Sequence, residues 1–430
     1  MTRFLGKTSI PRVLVLVGCL MLVVLAARDR WWKGRVPGPS EVRVGVIGSM
    51  TSGLAQLGQR QINSAILAAE EWNSEGGSPG QKIRLITEDS GDSTTLAITA
   101  LDRVLNKSPC AVLGPIYSFQ LFALFPEIRK EGIVLISTSG TRELTQKKNP
   151  WYFRLYPHDG FIKQVCATFA VEELKSRRPA LMCVTTEYGR SGHEILVETL
   201  KTMGVTPVVE TWHNKDDKDM TGQLMAVKRA KADVIISQAH PPDTAILLKQ
   251  QRGLGIDVPH VASSAASMPT VHELVGAAME GVYVEAAAEP NFDPDPRMQA
   301  WTKKYVETFN TRPDSFAVLF YDSARFLFEA IRAVGPERAN IAAWLRRNTY
   351  QGLAGTYAFD REQNGAFFAV MLQYRMEQGK AIPSVAKKYD FTPSKQGSFI
   401  ERPKKVVIAR TPHLMRGTWQ SHEIASLRSQ

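Results

Sequence analysis

The sequence predicts an α/β protein with two doubly wound lobes and a ligand cleft between them. Short apolar runs alternate with amphipathic helical segments from about residue 42 to about residue 335, which is the pattern of parallel sheets covered by helices. Small, hydroxyl-rich loops follow several of the apolar runs. Two extended segments, near 151–157 and 281–286, interrupt the alternation and divide it into two sets.

The first set opens with an apolar strand at 42–47 (VRVGVI). A helix at 61–72 follows, because its apolar residues recur three and four positions apart: Ile62, Ala65, Ile66, Ala69 and Trp72. The same patterns predict, in order, a strand at 83–87, a helix at 96–105, a strand at Ala111–Leu113, a further helix and a strand at 133–136. This order is typical of a doubly wound sheet.

The second set begins after the aromatic extended segment 151–157. A helix from residue 159 or 160 to 173 comes first. Strands are then predicted at 180–185, 207–211, 233–237 and His260–Ala262, with helices at 192–203, 220–230 and 244–253. The extended segment 281–286 leads through a proline-rich stretch into two long helices, 297–309 and Ser315–Val334.

This organisation suggests where the lobes begin and end. We assign residues 42–150 and 287–335 to a first lobe and residues 151–286 and 336–375 to a second. The extended segments would be the crossovers between the lobes. Clefts of this kind trap small ligands by hinge closure.

The first 27 residues have the form of an export signal. Basic residues precede an uncharged apolar run at 13–27, and that run is short for a spanning helix, which needs about 20 residues. Cleavage after the small residues at 24–27, lipidation at Cys19 and retention as a membrane anchor are alternatives that the sequence leaves open. Residues 28–41 form a linker. We therefore expect the protein in the periplasm or on the outer face of the cytoplasmic membrane.

The net charge of +11 belongs to the two ends of the chain. Residues 1–40 hold seven basic residues and one acidic residue, and the C-terminal extension 376–430 holds ten and four. Residues 41–375 are left with 36 basic and 37 acidic residues. A nucleic-acid-binding protein concentrates positive charge on its folded binding face, so this class is disfavoured.

Two loops at the predicted carboxyl ends of neighbouring strands carry candidate ligand groups. Ser118 follows the first strand, and residues 137–141 (STSGT) follow the second. Ligands bind at such strand ends in open α/β sheets, and hydroxyls with free N–H groups at a helix N-terminus bind anions. The competing interpretation is that these residues only cap helices and turn the chain. Two such loops joined by one helix favour a binding site.

Motifs for catalysis and for metal binding are weak in this sequence. The segment 189–193 (GRSGH) lacks the final glycine of the nucleophile motif G-x-S-x-G, so a helix start explains it better. The eight histidines show no metal-ligand spacing, and there is no phosphate-binding glycine motif. We expect no enzyme activity, no metal and no cofactor. We also expect no essential disulfide among Cys110, Cys166 and Cys183.

Several segments, in order, resemble the branched-chain amino-acid-binding proteins of bacterial ABC importers. They are VRVGVIGSMTSGLAQLGQRQINSAILAAEEWNSEGG, LITEDSGDSTTLAITALDRVL, VLGPIYS, IVLISTSGTREL, DVIISQAHPPDTAILLKQQRGLG and GTYAFDREQNG, within about residues 42–375. The resemblance implies the type I periplasmic binding protein fold. It also implies an exported receptor that closes around a small solute, such as an amino acid or another small carboxylate or amide, and delivers it to an ABC permease in the membrane.

The resemblance also implies ligand-binding residues. In this family the ligand's carboxylate is held by two loops. The first loop contributes a hydroxyl residue, which Ser118 matches. The second loop ends in two small residues and a threonine, which Ser139, Gly140 and Thr141 match. Tyr188 matches a tyrosine of the second lobe that contacts the ligand. Neutral hydroxyls and N–H groups bind a carboxylate without a buried cation.

Three positions depart from the family pattern. Leu57 stands at an expected aromatic position, and Ala239 or His240 stands at another. The acidic residue that pairs with the ligand's ammonium group falls at about Ser264.

Loss of that carboxylate matters because an unpaired buried ammonium is costly. Glu285 and Asp322 are candidate substitutes. Without a substitute, a carboxylate, an aromatic acid, an amide or a urea-like solute fits at least as well as an amino acid. The alternative function is a membrane-anchored ligand-sensing module without a transport role.

Overall fold

Two β-sheets form the frame of the protein in the computed structural model, which describes residues 41–51, 55–77, 81–215 and 217–390. The first part of the chain alternates strands and helices: β1 (Glu41–Gly48), α1 (Ala55–Ser74), β2 (Lys82–Asp89), α2 (Thr94–Leu105), β3 (Ala111–Leu113), α3 (Ser118–Glu131), β4 (Val134–Ser137), α4 (Glu143–Gln146) and β5 (Tyr152–Arg154). The five strands are all parallel, in the order β2-β1-β3-β4-β5. Every residue of β3 and β4 is buried, as expected where helices cover both faces.

The second part of the chain repeats the alternation. Its elements are α5 (Asp159–Glu172), β6 (Pro179–Val184), α6 (Glu187–Thr202), β7 (Val209–His213), α7 (Thr221–Arg229), β8 (Val234–Gln238), α8 (Pro241–Gly253), β9 (His260–Ala262), α9 (Pro269–Val275) and β10 (Tyr283–Ala286). Short 3-10 turns occupy Ser264–Ser267 and Gly276–Met279. The five strands of this part are parallel to one another.

The last part of the chain contributes to both lobes. It contains α10 (Pro296–Phe309), α11 (Ser315–Val334), α12 (Arg338–Leu345), β11 (Thr349–Gln351), β12 (Thr356–Ala358), β13 (Phe368–Glu377) and β14 (Lys380–Asp390). Helix α11 packs against α1 of the first lobe. The antiparallel pair β13–β14 extends the second sheet, whose order is β14-β13-β10-β9-β8-β6-β7.

Both sheets reverse their strand order at a point that faces the cleft. In the first sheet the reversal lies between β1 and β3, and in the second sheet it lies between β6 and β8. The loops that leave the carboxyl ends of such strands diverge to opposite faces and leave a crevice between them. The two crevices therefore define where a ligand site is expected.

The predicted fold class is confirmed by these two doubly wound lobes, and most predicted elements lie within a few residues of the observed ones. The predicted lobe boundaries differ from the strand pairing in three places. Strand β5 belongs to the first sheet; helix α12 packs on α11 in the first lobe; and β13–β14 carries the second lobe to residue 390, past the predicted start of the extension at 376. The pattern within each segment did not reveal these placements, because each depends on the element against which the segment packs.

Parts of the chain with predicted roles lie outside the described residues. These are the export signal or anchor at 1–27, the linker up to residue 40, and the tail from 391 to 430. Within the part that the structure describes, none of the helices combines the length and the apolar character that crossing a membrane would require.

Candidate functional site

A small pocket lies between the lobes at the carboxyl ends of the strands. Its walls come from the loops after β3, β4 and β5 in the first half of the chain and after β6, β8 and β9 in the second. The lining residues are Leu57, Ile116, Tyr117, Ser118, Phe119, Thr138, Ser139, Gly140, Thr141, Tyr156, Thr186, Tyr188, Ala239, His240, Pro241, Ser264, Ala265 and Phe316. The volume that the centres of water molecules can reach in this pocket is about 60 Å³.

The loop after β4 is fixed from behind by a buried arginine. Arg154, at the end of β5, donates hydrogen bonds to the carbonyl oxygens of Gly140 (3.1 Å) and Thr141 (2.8 Å). Ser137 Oγ adds a hydrogen bond to a carbonyl of the preceding loop at 2.8 Å. The N–H groups of Gly140 and Thr141 have no acceptor among the described residues, so this loop offers donors to the pocket.

Helix α3 begins at the pocket wall. Ser118 is its first residue, and Tyr117 precedes it without a side-chain cap. The first N–H groups of a helix lack intrahelical acceptors and carry partial positive charge. Helices α6 and α8 also begin at residues next to the pocket. Of these three helices, α3 has no acidic residue in its first turn, so its N-terminus favours negative charge in this cavity.

Three buried hydroxyls in the pocket wall, those of Tyr117, Thr141 and Tyr156, lack hydrogen-bond partners within the described residues. Thr141 Oγ1 and the Tyr117 hydroxyl have no partner within the described residues and are shielded from solvent. Burial raises the pKa of Tyr117 further above its ordinary value, so the phenol stays protonated and can donate. A buried polar group without a partner costs about 1–3 kcal/mol, and a solute that accepts these hydrogen bonds would remove that cost.

The wall of the second lobe is built from aromatic rings. Tyr188 and His240 are stacked, with ring centroids 5.4 Å apart, and Thr186 Oγ1 lies 3.2 Å from His240 Nε2. Across the cleft, His240 meets the edge of Tyr117 at 6.3 Å. Burial raises the pKa of Tyr188, which therefore remains a neutral donor.

Tyr156 and Phe316 stack at 5.2 Å on the side of the first lobe, where both line the pocket. Among the described residues that line the pocket, none has an Asp, Glu, Lys or Arg side chain. The arrangement can bind an anion through neutral donors and enclose an apolar body between rings.

All six residues predicted from the sequence line this one pocket: Ser118, Ser139, Gly140, Thr141, Tyr188 and Ser264. The two candidate substitute carboxylates do not. Glu285 lies behind Ser264, whose N–H donates to Glu285 Oε1 at 3.1 Å. Asp322 accepts hydrogen bonds from the N–H groups of Leu353 and Ala354 and from the Tyr357 hydroxyl, and so has a structural role in the first lobe.

Sequence reasoning missed the functional context of two buried cations. Arg154 lies within the aromatic extended segment 151–157, whose pattern gave no sign that the arginine would support a loop. Lys163 lies in helix α5 and is 1% exposed, and it forms an ion pair with Glu285. A lysine three positions before Cys166 on an otherwise apolar helix face was the signal that could have identified it.

Cys110, Cys166 and Cys183 are buried and form no disulfide among the described residues, and the expectation that no disulfide is essential stays a prediction. Among the described residues there is no group of three or more His, Cys, Asp or Glu side chains that could hold a metal ion.

Comparisons with known proteins agree with this architecture. A protein-family model described as "Periplasmic binding protein" matches residues 41–381. The leucine-, isoleucine-, valine-, threonine- and alanine-binding protein of Pseudomonas aeruginosa is 24% identical over 325 residues, which are 75% of this chain and 86% of that protein.

Solved structures extend the likeness to the fold. A branched-chain amino-acid transporter substrate-binding protein from Streptococcus pneumoniae, in complex with isoleucine, has a TM-score of 0.73 at 23% identity and covers 80% of this chain and 99% of its own. An ABC transporter solute-binding protein from Rhodopseudomonas palustris, in complex with 3,4-dihydroxybenzoic acid, has a TM-score of 0.74 at 18% identity, covering 82% and 98%. At these identities the likeness concerns the two-lobed fold.

Proposed function

The chain belongs to the periplasmic binding protein family, and on that basis we propose that it is an extracytoplasmic receptor that closes around a small carboxylate solute and delivers it to an ABC-type permease. Solute binding, partnership with an ABC transporter and a periplasmic location follow from the family. Membership of a family of binding proteins also confirms the prediction that the protein is not an enzyme.

One observation supports a carboxylate in particular. The pocket wall of the first lobe presents the unpartnered hydroxyls of Thr141 and Tyr117 beside unpaired N–H groups and a helix N-terminus. Hydrogen bonds from such donors to an ionised acceptor are shorter and stronger than those to a neutral one. A carboxylate oxygen placed here would satisfy buried donors that otherwise lack a partner.

The rest of the pocket suits an apolar or aromatic body. Tyr156, Phe316 and Leu57 on one side face Tyr188 on the other. Two structural neighbours were solved with isoleucine and with 3,4-dihydroxybenzoic acid. These two ligands share a carboxylate next to an apolar or aromatic body. This supports a pocket in which the hydroxyls and N–H groups bind the carboxylate and the apolar and aromatic side chains bind the body.

Delivery to a permease rather than sensing is supported by the relatives, because the two structural neighbours compared above are components of transporters. Retention through the apolar run at 13–27 remains a prediction of the sequence. Mass spectrometry of the mature N-terminus distinguishes the alternatives: a start after residue 27 indicates a diffusing receptor, and an intact or lipidated N-terminus indicates an anchored one.

A thermal-shift screen of the purified protein tests the proposed function. The panel contains aliphatic and aromatic carboxylates, their primary amides, and amino acids. A solute at 100 times its dissociation constant should stabilise the protein by about 2.7 kcal/mol. Small-angle scattering with the best solute should show a smaller radius of gyration, as expected for lobe closure. Failure of every carboxylate to raise the melting temperature would contradict the proposal.

A further inference from the structure

A buried ion pair lies directly behind the Ser264 end of the pocket. Lys163 of α5 donates to Glu285 Oε1, and both side chains are 1% exposed. Glu285 also accepts hydrogen bonds from Cys166 Sγ at 2.8 Å, through Oε2, and from the Ser264 N–H at 3.1 Å. Both oxygens of this carboxylate are therefore engaged inside the protein.

The pair adjoins the pocket through two lining residues. Ser264 lines the pocket and contacts Glu285 through its own backbone. Tyr188 also lines the pocket, and Lys163 Nζ lies 5.9 Å from the centroid of its ring. The positive charge of Lys163 thus lies against the ring of a residue that lines the cavity.

The other nearby carboxylate is buried behind Gly140. Asp159 is 1% exposed and does not line the pocket. Its Oδ1 faces Gln238 Nε2 at 3.5 Å, and burial raises its pKa to about 6, an effect that the charge of Lys163 opposes. Among the described residues that line the pocket there is no carboxylate, so an ammonium group there would meet the charge of Lys163 without a carboxylate in contact.

We propose that Lys163 is a specificity-determining residue that excludes α-amino acids. Its ammonium group pairs with Glu285, the carboxylate that the ammonium group of a solute would need. The cognate solute therefore carries a carboxylate and no ammonium group. This inference rests on the proposed function and names its substrate class. Desolvation of an unpaired ammonium and repulsion from Lys163 both act against an amino acid, and together they should weaken its binding by at least about tenfold.

Matched ligand pairs that differ only in the ammonium group test the inference. The probes are 4-methylpentanoate with leucine, and 3-phenylpropanoate with phenylalanine, titrated calorimetrically into the full chain. In the wild-type protein at least one deamino acid should bind at least about tenfold more tightly than its amino acid. If an amino acid binds more tightly than its deamino partner, and the Asp159→Asn substitution abolishes that binding, Asp159 is the ammonium partner and the inference is overturned.

Variants of the ion pair provide the second arm. Lys163→Met removes the charge, and Lys163→Gln also keeps a hydrogen-bond donor toward Glu285. Either variant should shift the ratio toward the amino acid by about tenfold or more, because the repulsion from Lys163 is lost and the negative charge of Glu285 is no longer paired with a cation. Neutral replacement of a whole buried pair is often well tolerated, so Lys163→Met with Glu285→Gln serves as the matched control. It should restore the preference for the deamino acid.

The outcomes separate the two proposals. If neither member of either pair binds and no other carboxylate does so, the proposed function fails and the inference fails with it. If a deamino acid binds but both folded Lys163 variants keep the wild-type ratio, only the inference is overturned. Circular dichroism and urea unfolding show which variants are folded. If the single variants do not fold, the ratio of the affinities for the deamino acid and the amino acid in the wild-type protein still decides the inference.

Discussion

Replacing Thr141 with valine should change ligand affinity and the stability of the free protein in opposite directions. The substitution keeps the shape of the side chain and removes only the hydroxyl. In the structure Thr141 Oγ1 is buried and has no hydrogen-bond partner among the described residues. Removing the hydroxyl therefore costs the free protein nothing and relieves it of an unsatisfied polar group.

The two magnitudes follow from the same atom. A hydrogen bond from this hydroxyl to a carboxylate is worth about 1.5–3 kcal/mol, so Thr141→Val should weaken solute binding by roughly 10- to 150-fold. Relief of the buried hydroxyl should raise the free energy of unfolding of the free protein by about 1 kcal/mol. We expect the melting temperature of the free protein to rise by about 2 °C.

Calorimetric titration and urea unfolding of the same preparations measure both effects. Thr145→Val is the matched control, because Thr145 lies in α4, away from the pocket lining, and its hydroxyl donates to the Arg142 carbonyl at 3.3 Å. The control should leave affinity unchanged. Unchanged affinity in Thr141→Val would show that the hydroxyl does not contact the solute. A clear loss of stability would show that the hydroxyl is satisfied in the free protein.

Two further predictions concern buried groups. Arg154→Met removes the hydrogen bonds to the carbonyl groups of Gly140 and Thr141, and should lower the free energy of unfolding by roughly 3 kcal/mol and weaken solute binding. Arg154→Lys should restore stability and solute binding only in part, because an ammonium group lacks the planar, forked donors of a guanidinium group. If a folded Arg154→Met protein binds the solute as tightly as the wild type, the arginine contributes to stability alone. Burial lowers the pKa of His260 from 6.5 to about 3. Between these two pH values the unfolded chain binds a proton that the folded protein does not. The free energy of unfolding should therefore fall as the pH decreases from about 6.5 toward 3. His260→Gln should flatten that slope in urea titrations across the range, and a slope equal to that of the wild type would refute the assignment.

The α/β alternation was predictable because each element buries a local pattern. Strands β3 and β9 are short apolar runs observed at the predicted residues, and α11 has its predicted bounds with a buried apolar face. Their periodicity depends only on neighbours in the chain. The carboxyl-end loops were predictable for the same reason, since a parallel sheet places successive loops at one edge.

The last two strands were hidden by their composition. Strand β14 contains Pro383 and three lysines, and its pattern suggested a basic tail. It lies at the edge of the second sheet, where proline and lysine are tolerated and discourage pairing with another chain. Pairing with β13 across a tight turn, and not local hydrophobic alternation, puts this segment in the fold.

The residues that line the pocket were predictable from the sequence, whereas the charged groups buried behind them were not. The residues that face the pocket with hydroxyls and N–H groups, such as Ser118 and Thr141, came from loop chemistry and from the family resemblance. The ion pair between Lys163 and Glu285 joins residues 122 positions apart. No local pattern indicates such a pair, because it exists only once β10 lies beside α5.

The affinity difference between one carboxylate and its primary amide tests the central claim most directly. Calorimetric titration of the best carboxylate from the thermal-shift screen and of the corresponding amide keeps the body of the solute constant and changes only the anion. Because charged acceptors form the stronger hydrogen bonds with the donors of Thr141, Tyr117 and the α3 N-terminus, we expect the carboxylate to bind at least about tenfold more tightly. Equal affinities, or tighter binding of the amide, would contradict an anion site in this cleft.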